Sequence, residues 1–222
     1  MDKEQQIIRK YFYPLANNKE SLELKNDAAF LKKNKLVISS DMMIEDQHFT
    51  KDNDPEILAK KLLRINISDL AAMGATPYGF FLNIALPKKD AMNWIGRFSK
   101  GLCSDMQNFE IKLFGGDLSQ SSKIFLSMTV LGKIKKYCHD VNFSKIDSDI
   151  YVTGNIGDAP LGFKFSKNFY FSKGSKKTKN KLINKFQIPE PRLSIGLKLL
   201  NKVEFFTDIS DGLSRELSQV TN

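Results

Sequence analysis

Two cysteines and two histidines are all that 222 residues contain. Cys103 and Cys138 form no C-x-x-C pair, so neither a disulfide framework nor a thiolate zinc site is expected. A reducing, cytoplasmic setting fits that scarcity. Nowhere do about eighteen apolar residues run together, and the opening MDKEQQIIRKYF has no apolar core of signal-peptide length. The expectation is a soluble, untargeted chain with no membrane partner. Arginine is scarce beside lysine, and the densest basic run, Lys173 to Lys181, has no interleaved aromatics. A net charge of +9 favours anionic partners, but without arginine forks or stacking rings a nucleic acid is not expected among them. The lysine run reads as a solvated loop. No G-x-x-x-x-G-K-[ST] motif and no protein-kinase signature occurs, so neither of those folds is supported.

What is present is globular in character. An apolar fraction of 41% with seventeen phenylalanines is enough for one large or two small domains with proper cores. Glu4 to Leu15 is patterned as an amphipathic outer helix, and Leu36 to Ile38 as a short strand that empties into Ser39-Ser40-Asp41. Met42 to Asn53 reads as an irregular loop over a site, carrying His48. Asp54-Pro55 then supplies an N-cap and a first-turn proline for a helix. Tyr78 to Leu86 is patterned as a buried strand, and Asp90 to Asn108 as a helix with Met92, Ile95, Phe98, Leu102 and Met106 on its apolar side. Ile111 to Phe114 reads as a strand delivering Gly115-Gly116-Asp117, and Lys123 to Lys133 as another strand. Lys135 to Ser148 is weakly patterned and marks a domain boundary, giving domains at 1–136 and 149–222. Beyond it, strands are expected at Ile150 to Thr153 and Val203 to Phe206, with helices at Ala159 to Phe165 and Pro191 to Leu200.

The most informative stretch is Lys61 to Gly74, KLLRINISDLAAMG. At helical spacing Leu58, Leu62, Ile65 and Met73 share an apolar face, and Asp69 falls in its middle. Desolvating an isolated carboxylate costs several kcal/mol, so Asp69 needs a proton, a pairing group or a cation. No Lys or Arg stands one turn away on either side, so its partner comes from elsewhere in the chain. Asp27, Asp41, Asp117, Asp208 and Asp211 share its setting, at strand ends or helix starts and flanked mostly by Ser, Gly or Ala. Hard oxygen ligands of this kind suit Mg²⁺, which binds through carboxylates and substrate phosphates.

The segments NDAAF at 26–30, SSDMMIEDQHF at 39–49, NISDLAAMGATP at 66–77, GGD at 115–117, IYVTGNIGDAPLG at 150–162 and TDISDGL at 207–213 resemble the thiamine-monophosphate kinase family. That family belongs to the aminoimidazole-ribonucleotide synthetase superfamily. The resemblance implies ATP-dependent phosphorylation of thiamine monophosphate to thiamine diphosphate. It implies an α/β N-terminal domain, a mixed sheet with helices that pairs in a homodimer, followed by an α+β second domain. Carried over residue by residue, Asp27, Ser39, Ser40, Asp41, Asp69, Asp117, Asp208 and Asp211 would hold several Mg²⁺ ions. Gly116, Asp117 and Ser210 would contact ATP, and His48 would touch the substrate. The acceptor is already an ionised phosphate, so no residue is assigned as a general base.

The chain departs from the family in three places. Ser39 and Ser40 stand where threonines are usual. CHDVNFSKIDSD, residues 138–149, lacks the arginine that usually precedes the second domain. The family's second domain extends further than Asn222, so it is expected to be incomplete in this chain. The competing readings are a nucleotide-binding remnant without turnover and another ATP-dependent synthetase of the superfamily. Selenophosphate synthetase expects a reactive cysteine near the N-terminus, and none precedes Cys103.

Overall fold

The computed structural model describes residues 3–135, 149–167, 175–200 and 202–221. Among them, the strands β1 (Ala29–Leu31), β2 (Leu36–Ile44), β3 (Thr76–Leu86), β4 (Lys112–Gln120) and β5 (Phe125–Lys133) form one sheet in the order β1-β2-β5-β3-β4. β3 and β4 run parallel and the other pairs antiparallel, so the sheet is mixed as expected. The connection from β3 to β4 is the helix α3 (Ala91–Asn108), which packs beside α2 (Pro55–Ala72).

α2 organises the core. Asp54 caps it by accepting the Glu56 N–H at 2.9 Å, and Pro55 occupies the first turn, where its missing N–H costs nothing. At the other end Gly74 adopts φ +61°, Gly74 N–H bonds to Ala71 O at 3.0 Å, and Ala75 N–H bonds to Leu70 O at 2.8 Å. That pair of bonds is a Schellman close, and it turns the chain directly into β3. The buried face of α2 carries Leu58, Leu62, Leu63, Ile67 and Leu70 against Val37, Phe80, Leu126, Met128 and Val130 of the sheet. Ile65 and Asp69 are half-buried, so Asp69 sits at the rim of the apolar face and not in its middle.

Asp105 of α3 is fully buried and takes both arms of Arg64, at 2.5 and 3.0 Å. Arg64 also donates to Pro189 O at 3.3 Å, tying the later part of the chain to α2. α6 (Leu193–Leu199) lies on the same helix, with the Gly196 Cα seated against the backbone of Ala71. α4 (Asp158–Ser166) and α5 (Lys176–Gln187) pack on each other through Phe163 and Phe186, whose rings are 5.1 Å apart. The last helix, α7 (Leu213–Thr221), follows the D-I-S-D-G turn.

Several expectations are corrected. The N-terminal segment is a short α1 (Lys3–Ile7) followed by π and 3-10 turns. Tyr11, Phe12 and Leu15 stay exposed, because nothing among the described residues covers them. β2 continues through Ser39-Ser40-Asp41 to Ile44, and β4 continues through Gly115-Gly116-Asp117 to Gln120. Both acids therefore lie within strands. Met92 is exposed; the buried side of α3 is Phe98, Gly101, Leu102 and Asp105. Residues 150–153 and 203–206 are irregular, since among the described residues neither has a strand to pair with. The lysine run is largely helix: Ser175 caps α5 by accepting the Thr178 N–H, and lysine is a good helix former. Most of the expected domain boundary, with the segment that lacks the arginine, lies outside the described residues.

Gly96 is exposed in the middle of α3 with open space where a Cβ would go. Gly96→Ala should therefore stabilise the fold by roughly 0.5–1 kcal/mol. Urea denaturation checks the sign.

Candidate active site

Four acids from distant segments meet where α2 crosses β2. Asp41 is on the helix-covered side of β2, since its cross-strand neighbour is the buried Met128. Asp69 stands opposite on α2, Asp27 just before β1, and Asp208 in the turn leading to α7. Hydroxyls bridge them. Ser39 Oγ lies 2.6 Å from Asp69 Oδ2 and 3.0 Å from the Asp27 carbonyl. Thr207 Oγ1 lies 3.0 Å from both carboxylate oxygens of Asp27, and Ser68 bonds to the Asp208 side chain.

The electrostatics follow from burial and like charge. Burial first, then the neighbouring Asp41, Asp208 and Asp27, pushes Asp69 up to about 9 despite the opposing Ser39 bond. Burial and Asp208 push Asp27 up to about 7, against the Thr207 bond. Burial and Asp208 raise Asp41, which the cationic form of His48 would partly offset, and burial raises Asp208 while Ser68 opposes it. No ion pair among the described residues engages any of these four. The set thus has the chemistry of a hard-cation site: oxygen donors, low solvation and crowded carboxyls that hold protons in place of a cation. Among the described residues no three His, Cys, Asp or Glu side chains converge closely enough to hold one ion alone. Mg²⁺ needs no such cage, because it ordinarily keeps waters and borrows substrate phosphates as ligands.

The remaining predicted residues divide differently. Ser40 alternates to the opposite face of the sheet, where its hydroxyl bonds to Thr129 at 2.9 Å and to Met128 O at 3.2 Å. Asp117 registers with Asn83, which registers with Ser127, on that same outer face; it is exposed and accepts from Ser119 at 2.8 Å. Neither side chain joins the four-acid cluster. Asp211 has its own cation, Arg215 at 3.1 Å, and is exposed, although its charge still raises Asp208. Ser210 is exposed in the turn before α7. Beside it, an open depression of about 610 Å³ is lined by Asp211, Gly212, Arg215 and Ile156, so the G-N-I-G-D and D-I-S-D-G turns share one space.

Sequence reasoning missed Ser68, Thr207 and Glu216. The first two are adjacent to predicted acids, and a bare Ser or Thr beside Asp carries little signal alone. Glu216 is 7% exposed, raised by burial and by Asp208 and Asp211, and accepts the Asp211 N–H at 3.4 Å. Only its place one turn into a helix after two acids could have marked it.

The domain described as AIR synthase related protein, N-terminal domain, matches residues 25–134. Thiamine-monophosphate kinase of Buchnera aphidicola subsp. Schizaphis graminum is 34% identical over 221 residues, spanning 97% of this chain and 68% of that protein. The chain thus spans about two thirds of that relative. The thiamine-monophosphate kinase structure from Stenotrophomonas maltophilia superposes with a TM-score of 0.76 at 28% identity, covering 96% of this chain and 69% of that one. AaThiL complexed with AMPPCP and TMP superposes at 0.86 with 20% identity, covering 99% and 71%, a likeness of fold. Among the described residues no helix is long and apolar enough to cross a membrane. With its relatives matched in sequence and its sheet matched in space, this chain belongs to the thiamine-monophosphate kinase family.

Proposed function

We propose that this chain phosphorylates thiamine monophosphate to thiamine diphosphate with ATP as donor, by in-line transfer assisted by Mg²⁺. The observation that carries the reading is the meeting of the half-buried Asp27, Asp41, Asp69 and Asp208 without a Lys or Arg partner among the described residues. A solved relative in fold holds AMPPCP and TMP together, which supports the same pair of substrate classes here. Magnesium, when bound, supplies neutralisation for two polyanions and their alignment for direct transfer. The four acids, with Ser39, would hold it. Ser39, Thr207 and Ser68 orient the carboxylates, and the acceptor phosphate needs no base to deprotonate it.

Gly116, Asp117 and Ser210 are proposed to contact ATP, with Asp211 near Ser210, and His48 to contact thiamine monophosphate. Residues 1–136 form the proposed nucleotide and metal domain, and 149–222 the beginning of a second. The outer sheet face exposes Tyr78, Phe81, Phe114, Phe125 and Met42, which supports a homodimer burying that face. In such a dimer Ser40 and Asp117 would serve the interface side of the sheet, apart from the four-acid cluster.

An assay coupling ADP release to thiamine monophosphate, run with and without Mg²⁺ and beside calorimetric titration of ATP, tests the reading. Release that depends on both thiamine monophosphate and Mg²⁺ is expected. ATP binding with no release would replace catalysis by simple nucleotide binding.

A further inference from the structure

The turn joining β2 to α2 is built on a buried acid that the phosphate chemistry leaves unused. Glu45 is 9% exposed, and its Oε2 accepts the Ile124 N–H at 2.8 Å while its own N–H donates to Ile124 O at 3.0 Å. This is a two-point tie between the turn and the start of β5. Lys123 adds an exposed pair to Asp46 at 2.8 Å, worth little by itself. The turn then closes on itself: Asp46 N–H bonds to Phe49 O at 2.8 Å, and His48 N–H bonds to Ile44 O at 2.9 Å. Phe49, 5% exposed, anchors its far end in the core.

Inside this clip the Ile44 N–H donates to His48 Nδ1 at 3.0 Å. A ring nitrogen that accepts a hydrogen bond carries no proton, so the neutral imidazole keeps its hydrogen on Nε2. The tautomer decides what the ring can recognise. A phosphate only accepts hydrogen bonds, so Nε2–H is a complement to it, whereas a bare Nε2 would set lone pair against anion.

We infer that Glu45 is a positioning residue: by fastening the β2–α2 turn to Ile124 it holds His48 as the Nε2–H tautomer, a single donor for the phosphate of the acceptor substrate. This rests on the proposed contact between His48 and thiamine monophosphate. Removing the carboxylate strands the Ile124 N–H and frees the turn to rotate, and a misplacement of about 1 Å is enough to lose a substrate hydrogen bond.

Two independent readouts test it. Long-range ¹H–¹⁵N spectra, in a His139→Gln background that removes the other histidine, report the His48 tautomer without reference to activity. A single Nε2–H pattern is expected for the parent and for Glu45→Gln, whose amide oxygen still accepts from Ile124. A mixture is expected for Glu45→Ala. Kinetically, Glu45→Ala should raise KM for thiamine monophosphate about tenfold with KM for ATP unchanged, Glu45→Gln should restore it, and the effect should vanish in a His48→Ala background. Glu45→Asp, one methylene short, should give the same loss in milder form and serves if the alanine variant does not fold. An unchanged tautomer in Glu45→Ala or Glu45→Asp, a glutamine variant that behaves like alanine, or a KM effect that persists without His48 would overturn the assignment. If the parent fails to phosphorylate thiamine monophosphate, the proposed activity falls while the spectra still decide what Glu45 does.

Discussion

Asp69→Asn is expected to remove turnover, on the order of a 10³-fold loss, while making the cation-free protein more stable at pH 8. Both effects come from one buried charge. Burial and three neighbouring acids lift the folded-state value of Asp69 from 3.8 to about 9. A carboxyl raised on folding binds its proton more tightly in the native state, so acid favours the fold. That contribution is full below about pH 4 and is lost progressively as pH rises toward 9. Asparagine has the same outline, still accepts from Ser39, and carries no charge at any pH. Melting in EDTA should therefore show the variant ahead of the parent by about 1–3 kcal/mol at pH 8, with the gap closing at pH 4. Added Mg²⁺ should narrow the difference at pH 8 by stabilising the parent more. Near-normal ADP release from the variant would remove the case for Asp69 as a ligand.

The second large effect concerns the sheet edge. A Cβ on Gly116 would stand 1.7 Å from Leu82 O and 2.6 Å from Leu82 C, and the residue's φ is +153°. Those atoms are backbone of β3, which cannot swing aside as a side chain can. Among the described residues β4 pairs only with β3, on one side, so the cheapest relief is for β4 to lift away locally. Gly116→Ala should cost about 3 kcal/mol or more, read by urea denaturation, and, on the proposed contact of Asp117 with ATP, should weaken ATP binding by displacing that residue. Gly115→Ala, with 3.7 Å to the Phe81 ring, is the milder neighbour to run alongside. Wild-type stability in the Gly116 variant would mean that the close approach to Leu82 is not maintained in solution.

How much of this was legible in the chain depends on the kind of signal. The start of α2 was readable because Asp54-Pro55 is a local device whose physics needs no tertiary partner; the close at Gly74 is equally local but went unread. Asp27, Asp41, Asp69 and Asp208 stood out because each sits in a short motif of small or hydroxyl residues. The structure separates them from Ser40 and Asp117, which lie on the other face of the sheet. Once β2 and β4 extend through the motifs, the two-residue alternation of a strand sends neighbours to opposite faces, and a motif read as a loop end hides that. Residues 150–153 looked like a strand because they are apolar, yet Ile150 and Tyr151 are exposed and unpaired to any described strand. Pairing is a non-local property. Conversely, the lysine run looked like a loop because charge was weighed ahead of helix propensity and the Ser175 cap.

The bonds from Thr207 to Asp27 join residues 180 positions apart. The sheet is fully synthesised once Lys133 is made, but the last of its four acids, Asp208, emerges from the ribosome roughly seventy-five residues later. A growing chain can therefore own its whole sheet long before it owns its full cluster of acids, and Asp27, Asp41 and Asp69 must wait for the fourth.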